Sequence, residues 1–402
     1  MAHPSRVRMT GPLTPFAKGF ATELAKLGYR PGAVANQLQL IAHLSRWLDG
    51  KGMDPENLTA SVLNDFLAAR CAQGYTLWRS PKALAPFIGY LHGLGFSLAA
   101  PGAPLSPVEE LLARYRRYLL ETRGLVGTTA RGYVDRVRSF VATRTVDDRL
   151  DWSGLKRADL LAFVRRACRG RSRGSASLLT TALRSLLGWL QAEGLLPGPL
   201  AAAIPSVAFS RLAGLPRYLD PDEVERLLAA CDRRTRTGRR DFAMLMLLAR
   251  LGLRAGEVRA LGLDDIDWRA GELRVRGKGD RIEQLPLPSD VGEALTAYLR
   301  RGRPATAQVR TVFVRVRAPH RPLTSSAVTS AVLAAASRAG LAAVTAHRLR
   351  HTVATQMVRS GVPLPEISQV LRHRRLLTTA IYAKVDRESL RCLSRRWPGG
   401  AP

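Results

Sequence analysis

The sequence predicts a mainly α-helical protein of several domains, completed by a mixed α+β segment with one small antiparallel sheet. Three observations carry this expectation. The chain has 402 residues, 46% of them hydrophobic, which is enough apolar material for more than one packed core and too much for a disordered chain. Two stretches rich in Pro and Gly, residues 99–107 (AAPGAPLSP) and 197–216 (PGPLAAAIPSVAFSRLAGLP), interrupt segments whose apolar residues recur at helical spacing. Beyond the second break, Gly271–Arg276 and Ile282–Leu287 flank Gly277-Lys278-Gly279-Asp280, the pattern of two short strands around a Gly-rich turn.

Taken in order, residues 1–100 read as a helical arm, with GYRPGAVANQLQLIAHLSRWL followed by LTASVLNDFLAAR and FIGYLHGLGF. Residues 105–205 repeat that plan about 97 residues later, with GLVGTTARGYVDRVRSFVATR, LKRADLLAFVRRA and LLGWLQAEGL. The parallel is loose, and chance similarity between amphipathic helices is the competing reading. Trp47, Trp152 and Trp189 fall among helical apolar residues, as core positions do. The third segment, residues 216–395, starts at Asp220-Pro221-Asp222-Glu223, a helix start with acids in its first turn. A buried helix to about Leu251, the hairpin, a further strand at Thr311–Val316 and helices to the chain end are expected after it.

The net charge of +30, from 62 Lys and Arg against 32 Asp and Glu, implies a polyanionic partner, because each neutralised phosphate releases condensed counterions. A ribosomal protein or an arginine-rich proteome would share that balance. Cys71, Cys168, Cys231 and Cys392 form no CxxC pair, which points to reduced thiols and to neither a zinc site nor a disulfide framework. The basic N-terminus lacks an apolar signal core, and the strongest apolar stretch, Phe242–Ala249, falls well short of the roughly 20 residues of a membrane helix. A cytoplasmic, nucleoid-associated protein without a membrane partner is expected. Arg165, Arg166, Arg169, Arg171 and Arg173 crowd one short run, which reads as a DNA-backbone contact or, more blandly, as a solvated helix end.

The chemistry lies in the third segment. Splitting a phosphodiester needs charge neutralised on the nonbridging oxygens, an in-line nucleophile and an acid for the leaving oxygen. Arginine suits the first task, since its planar fork holds two oxygens and never deprotonates. Arg254 sits in GLRAGE, with Glu257 three residues on to orient it. Lys278 occupies the hairpin tip. His347 and Arg350 share a helix face in HRLRH, His373 follows in LRH, and Tyr382 comes nine residues after His373. Each element alone is weak; the ordered series Arg–Lys–His-x-x-Arg–His–Tyr over about 130 residues is specific.

That series resembles the catalytic domain of the tyrosine recombinase (phage integrase) family. GLRAGEVRALGLDDIDWRAGELRVRGKGD is similar to the family's first arginine box and hairpin lysine, and HRLRHTVATQMVRSGVPLPEISQVLRHRRLLTTAIYAK to its second box and nucleophile. The resemblance is strong over residues 216–390 and diffuse over 105–205, where it implies a helical, SAM-like core-binding domain. By resemblance, Arg254 and Arg350 hold the scissile phosphate, Lys278 protonates the leaving 5′ oxygen, His347 serves as general acid/base, His373 bonds a nonbridging oxygen, and Tyr382 forms a 3′-phosphotyrosyl link. It also implies double-stranded DNA as partner, a homotetramer or a hetero-assembly with related recombinases on paired sites, and work for a mobile element by integration, excision or transposition. No cofactor or metal is called for.

Two departures stand out. Arg372 occupies the position before the second histidine, where the family usually has glycine, and Glu283 stands where a cation is common. His347 and His351, spaced i, i+4, mimic a metal pair, but the arginines around them oppose a cation, so His351 is expected to pack or to hydrogen-bond structurally. A short helical pattern in residues 383–402 suggests docking on a neighbouring protomer. Three other readings stay open: a type IB topoisomerase, a DNA-binding accessory protein with an unused active site, and an RNA-binding protein that explains only the charge.

Overall fold

In this computed structural model, residues 4, 7–96, 106–196, 198–207, 218–277, 282–372 and 379–383 are described. The chain divides at Leu98 and Gly214 into two compact units, the middle stretch forming one and the two outer stretches together the other.

The first outer stretch is four helices, α1 (Ala17–Lys26), α2 (Pro31–Asp49), α3 (Ala60–Ala72) and α4 (Pro81–Gly93). Pro31 and Pro81 occupy first-turn positions, where the missing N–H costs nothing, and the Thr59 hydroxyl accepts from the Val62 amide to start α3. Phe20, Leu24, Leu40, Ile41, Leu44, Phe66 and Phe87 make its core, with Phe20 and Phe87 edge to face at 5.1 Å. Although this core is its own, the stretch belongs to the same unit as the C-terminal residues. Gly28 shows the contact: its φ is +83°, and a Cβ there would lie 2.5 Å from His320 Cδ2 and 2.7 Å from Thr306 Oγ1.

The middle stretch holds α5 (Pro107–Glu121), α6 (Gly127–Ala142), a two-residue hairpin β1 (Thr145–Val146) and β2 (Arg149–Leu150), α7 (Arg157–Cys168) and α8 (Arg173–Ala192). Ser106 and Ser172 cap α5 and α8. Tyr115, Leu119, Val137, Phe140, Leu183, Leu186 and Trp189 form its core. Trp152 and Trp189 are buried, while Trp47 packs half-buried against Phe66 in the first stretch.

The last stretch departs from the sequence expectation in two places. The buried helix is two helices, α9 (Pro221–Ala229) and α10 (Arg236–Arg250), because Thr235 caps a new start by accepting from the Gly238 amide. The expected strand at Thr311–Val316 does not form. Val312, Phe313 and Val314 are all fully buried in succession rather than alternately, and only the isolated bridges Gly262–Thr311 and Val314–Pro322 are made. The third strand comes instead from β3 (Ile266–Asp267), which follows α11 (Ala255–Ala260) and pairs with β4 (Glu272–Arg276), itself antiparallel to β5 (Ile282–Pro286). Leu273 and Val275 of β4 turn into the core. Helices α12 (Ser289–Arg301), α13 (Ser325–Arg338), α14 (Ala346–Arg359), α15 (Leu364–Val370) and the short α16 (Ala380–Ala383) complete the fold. No helix among the described residues is long and apolar enough to cross a membrane.

Candidate active site

Two sequence-distant turns build the site. The first follows α10, where Gly252 adopts φ +57° and directs its carbonyl towards α14. A Cβ there would meet Leu371 Cδ2 at 3.0 Å, so glycine suits both the turn and the packing. Arg254 then precedes α11 as its cap residue, and Glu257 reaches back so that its Oε2 accepts from the Arg254 amide at 2.9 Å. The second is the start of α14, where the Thr345 hydroxyl accepts from the Arg348 amide at 3.2 Å and sets His347, Arg350 and His351 on the first turns.

Arg350 is 2% exposed, and its Nη1 donates to the Gly252 carbonyl at 2.6 Å. Its buried Nη2 has no hydrogen-bond acceptor among the described residues. A cation left with an unmet donor is costly inside a protein, so the position favours any group that brings an acceptor. Burial, then the charges of Arg254 and Arg372, pull the Arg350 guanidinium below its usual pKa.

Arg254 is held on two sides. Its Nη1 lies 2.5 Å from Glu257 Oε1 and its Nη2 donates to the Arg372 carbonyl at 3.1 Å, yet its side chain keeps 42% exposure. Glu257 is almost fully buried and also accepts from Arg372 Nη2 at 3.1 Å, in an ion pair whose side chains are 3% and 4% exposed. Burial alone would raise the Glu257 carboxyl. The Arg372 charge, together with the Arg254 amide and guanidinium, outweighs it and holds the group below its usual pKa.

Tyr382 is 1% exposed, in a small cluster with Val353, Ala354, Val358, Ile367 and Leu371. A hydrogen bond of 2.8 Å joins its hydroxyl to His351 Nδ1. Burial pushes Tyr382 up to about 12, against the pull of Arg350 and Arg254. His351 is driven down to about 4 by burial and then by His347 and Arg350. At neutral pH the pair is therefore a protonated tyrosine and a neutral imidazole, and the hydroxyl donates to Nδ1 when the ring proton sits on Nε2. His347 stands open to solvent, 4.3 Å from the His351 ring centre to centre; desolvation on its inner side, then Arg350 and Arg254, lower its pKa.

Of the residues singled out in the sequence, Arg254, Glu257, His347, Arg350 and Tyr382 come together here. Lys278 and His373 lie outside the described residues, as do residues 384–402. Arg165, Arg166, Arg169, Arg171 and Arg173 are in the middle unit, exposed at the end of α7 and the start of α8. Sequence reasoning named two further residues without giving them a part in the site. His351 touches the tyrosine hydroxyl, and its i+4 spacing from His347 was the available signal. Arg372 is bound into the Arg254–Glu257 pair, for which local pattern gives no signal. No group of three or more His, Cys, Asp or Glu suited to a metal ion occurs among the described residues.

With the geometry in place, comparison with known proteins gives consistent matches. The description "Phage integrase family" matches residues 217–389, and "Phage integrase, N-terminal SAM-like domain" matches residues 112–194. The Sinorhizobium fredii protein "Putative integrase/recombinase y4rA" is 39% identical over 402 residues, covering 97% of this chain and 96% of that protein. "Tyrosine recombinase XerD" of Listeria monocytogenes serotype 4b is 30% identical over 289 residues, 71% of this chain and 97% of its own length. Among solved structures, the XerH site-specific recombinase bound to palindromic difH substrate aligns with TM-score 0.54 at 18% identity, over 84% of this chain and 95% of that one. A lambda integrase tetramer bound to a Holliday junction aligns with TM-score 0.53 at 18% identity, over 81% and 92%. At these identities the structural likeness concerns the fold.

Proposed function

This chain belongs to the phage integrase family of tyrosine recombinases, and from that premise we propose that it cuts and rejoins double-stranded DNA at specific sites through Tyr382. The observation that carries the reading is the meeting of Arg254 and Arg350, from turns almost a hundred residues apart, beside a buried tyrosine, with Arg350 Nη2 lacking an acceptor among the described residues. A phosphodiester supplies that acceptor. Arg254, half in solvent, takes a second nonbridging oxygen of the same phosphate.

In the reaction, Tyr382 Oη bonds to phosphorus while the bond to the 5′ oxygen breaks. The phenolic proton passes to an imidazole, His351 being in contact and His347 adjacent. Lys278 gives its proton to the departing 5′ oxygen, and His373 bonds a nonbridging oxygen. The 3′-phosphotyrosyl ester conserves the energy of the broken bond, so a 5′ hydroxyl from a second strand reverses the steps without metal or ATP. A tyrosine with 1% exposure does not meet DNA where it sits; attack requires the segment carrying it to shift.

In this reading residues 1–100 form an arm, 105–205 a core-binding domain with the arginines at 165–173 on the DNA backbone, and 216–395 the catalytic domain. The active species is a tetramer, of this chain or with related recombinases, on paired sites of a mobile element, and the protein works in the cytoplasm on the nucleoid. The test uses nicked duplexes drawn from DNA flanking the gene, without metal or ATP, and follows SDS-resistant adducts. Wild type is expected to form an adduct and Tyr382→Phe none, with DNA binding equal within about twofold, since only one oxygen is lost. Binding without adduct in both supports an accessory protein. Equal adducts in both would show a different nucleophile, and relaxation of supercoils without site preference would indicate a topoisomerase.

A further inference from the structure

We infer that Arg372 is a positioning residue for Arg254, fixing that guanidinium through the Glu257 carboxylate on one side and through its own carbonyl on the other. The inference rests on reading Arg254 as the group that meets the phosphate.

Arginine is an expensive choice at this position. The backbone has φ +55°, in the left-handed region that a side chain disfavours and glycine tolerates. The side chain is 3% exposed, and a guanidinium leaves water only when it finds partners. Glycine would remove both penalties. What the arginine side chain adds is specific: Nη2 donates to Glu257 Oε2 at 3.1 Å and Nη1 to the Val370 carbonyl at 2.9 Å. Its carbonyl meanwhile accepts from Arg254 Nη2 at 3.1 Å. The path from Arg254 Nη1 to Glu257, on to Arg372 Nη2, and back through the Arg372 carbonyl to Arg254 Nη2 is a closed ring of hydrogen bonds.

Two consequences follow for Arg254. With Oε2 engaged by Arg372, the Glu257 carboxylate is fixed in rotation and its Oε1 stays on Arg254 Nη1. Charge is the second. Glu257 alone would balance Arg254 and weaken its hold on an anion, whereas two guanidiniums on one carboxylate leave a surplus positive charge beside Arg350. Arg372 is too deeply buried to reach DNA, so it acts through Arg254.

Arg372→Gly suits the backbone and removes the guanidinium, and Arg372→Lys keeps the charge on a single point contact. On the same nicked duplexes, single-turnover adduct formation gives a maximal rate and a half-saturating protein concentration. Expected for Arg372→Gly is a maximal rate lower by about tenfold to hundredfold, the scale set by misplacing a reacting group by about 1 Å. Half-saturation should stay within about twofold, and the variant should remain folded at the assay temperature, the relief at φ +55° offsetting part of the lost Glu257 pair. Arg372→Lys should recover part of the rate. A glycine variant within about threefold of wild type, or a rate loss matched by the fraction of variant unfolded at the assay temperature, overturns the inference. If wild type itself forms no adduct, the recombinase reading is what fails. A crystal structure of Arg372→Gly then decides the present point: a displaced Arg254 guanidinium supports it and an unmoved one sinks it.

Discussion

The arginines of the active site and those of the run at 165–173 are the same residue in opposite surroundings. Arg350 is 2% exposed and Arg372 7%, each tied to named acceptors, whereas all five arginines of the run are exposed and none forms an ion pair among the described residues. In the site, poor screening makes direction matter: a donor turned away from its acceptor loses its bond and leaves a buried polar group unmet. On the run, water and salt screen each charge and leave attraction without orientation. A net charge of +30 is therefore not one property. On the proposed reading, a few cations held in register, Arg350 buried and Arg254 half in solvent, serve the chemistry, and the exposed majority draws in a polyanion.

That contrast can be broken by experiment. Arg350→Ala should cost the largest effect, a fall in adduct formation of about a hundredfold to a thousandfold, with the salt slope of DNA binding reduced by no more than the roughly 0.9 of one phosphate contact. If its main effect were a shallower salt dependence, the two classes of arginine would be one. Changing Arg165, Arg166, Arg169, Arg171 and Arg173 together to Gln should do the reverse. The slope of log affinity against log salt should drop by about 0.9 for each arginine that meets a phosphate, while the maximal cleavage rate stays put. An unaltered slope would make the run a solvated helix end.

The smallest effect concerns stability against pH. Folding holds His351 neutral down to about pH 4, against an ordinary value of 6.5. Between those values the unfolded chain binds more protons. The contribution is thus whole above pH 6.5 and is lost as pH falls towards 4. In His351→Asn the melting temperature should be less acid-sensitive across that window. Parallel curves for the two proteins would mean that His351 is not desolvated as described.

How much of this was legible beforehand depended on the range of the interaction. Helix starts such as Pro31, Pro81, Thr59 and Ser172 are local chemistry and stand in the sequence, as does the hairpin around Gly277. The series from Arg254 to Tyr382 was visible because each member sits in its own local pattern. Thr311–Val316 misled because a buried apolar run looks like a strand whether or not a neighbour offers a ladder. The Arg372–Glu257 pair was not legible at all. It joins residues 115 apart in sequence, and position 372 looked like a mere departure from glycine until its φ and its partner were known together.

The packing of Gly28 has a bearing on how the proposed N-terminal arm should be studied. A Cβ on that glycine would come within 3 Å of the His320 and Thr306 side chains at a φ of +83°, and the first stretch thereby touches the last within one compact unit. A chain trimmed to start after residue 98 would lay one side of that contact bare. Any loss of activity in it would mix the absence of the first stretch with the uncovering of His320 and Thr306 on what remains. Because any side chain at Gly28 would also strain the φ +83° backbone that ends α1, a change on the facing side, such as His320→Ala, is the cleaner instrument for asking what the contact contributes.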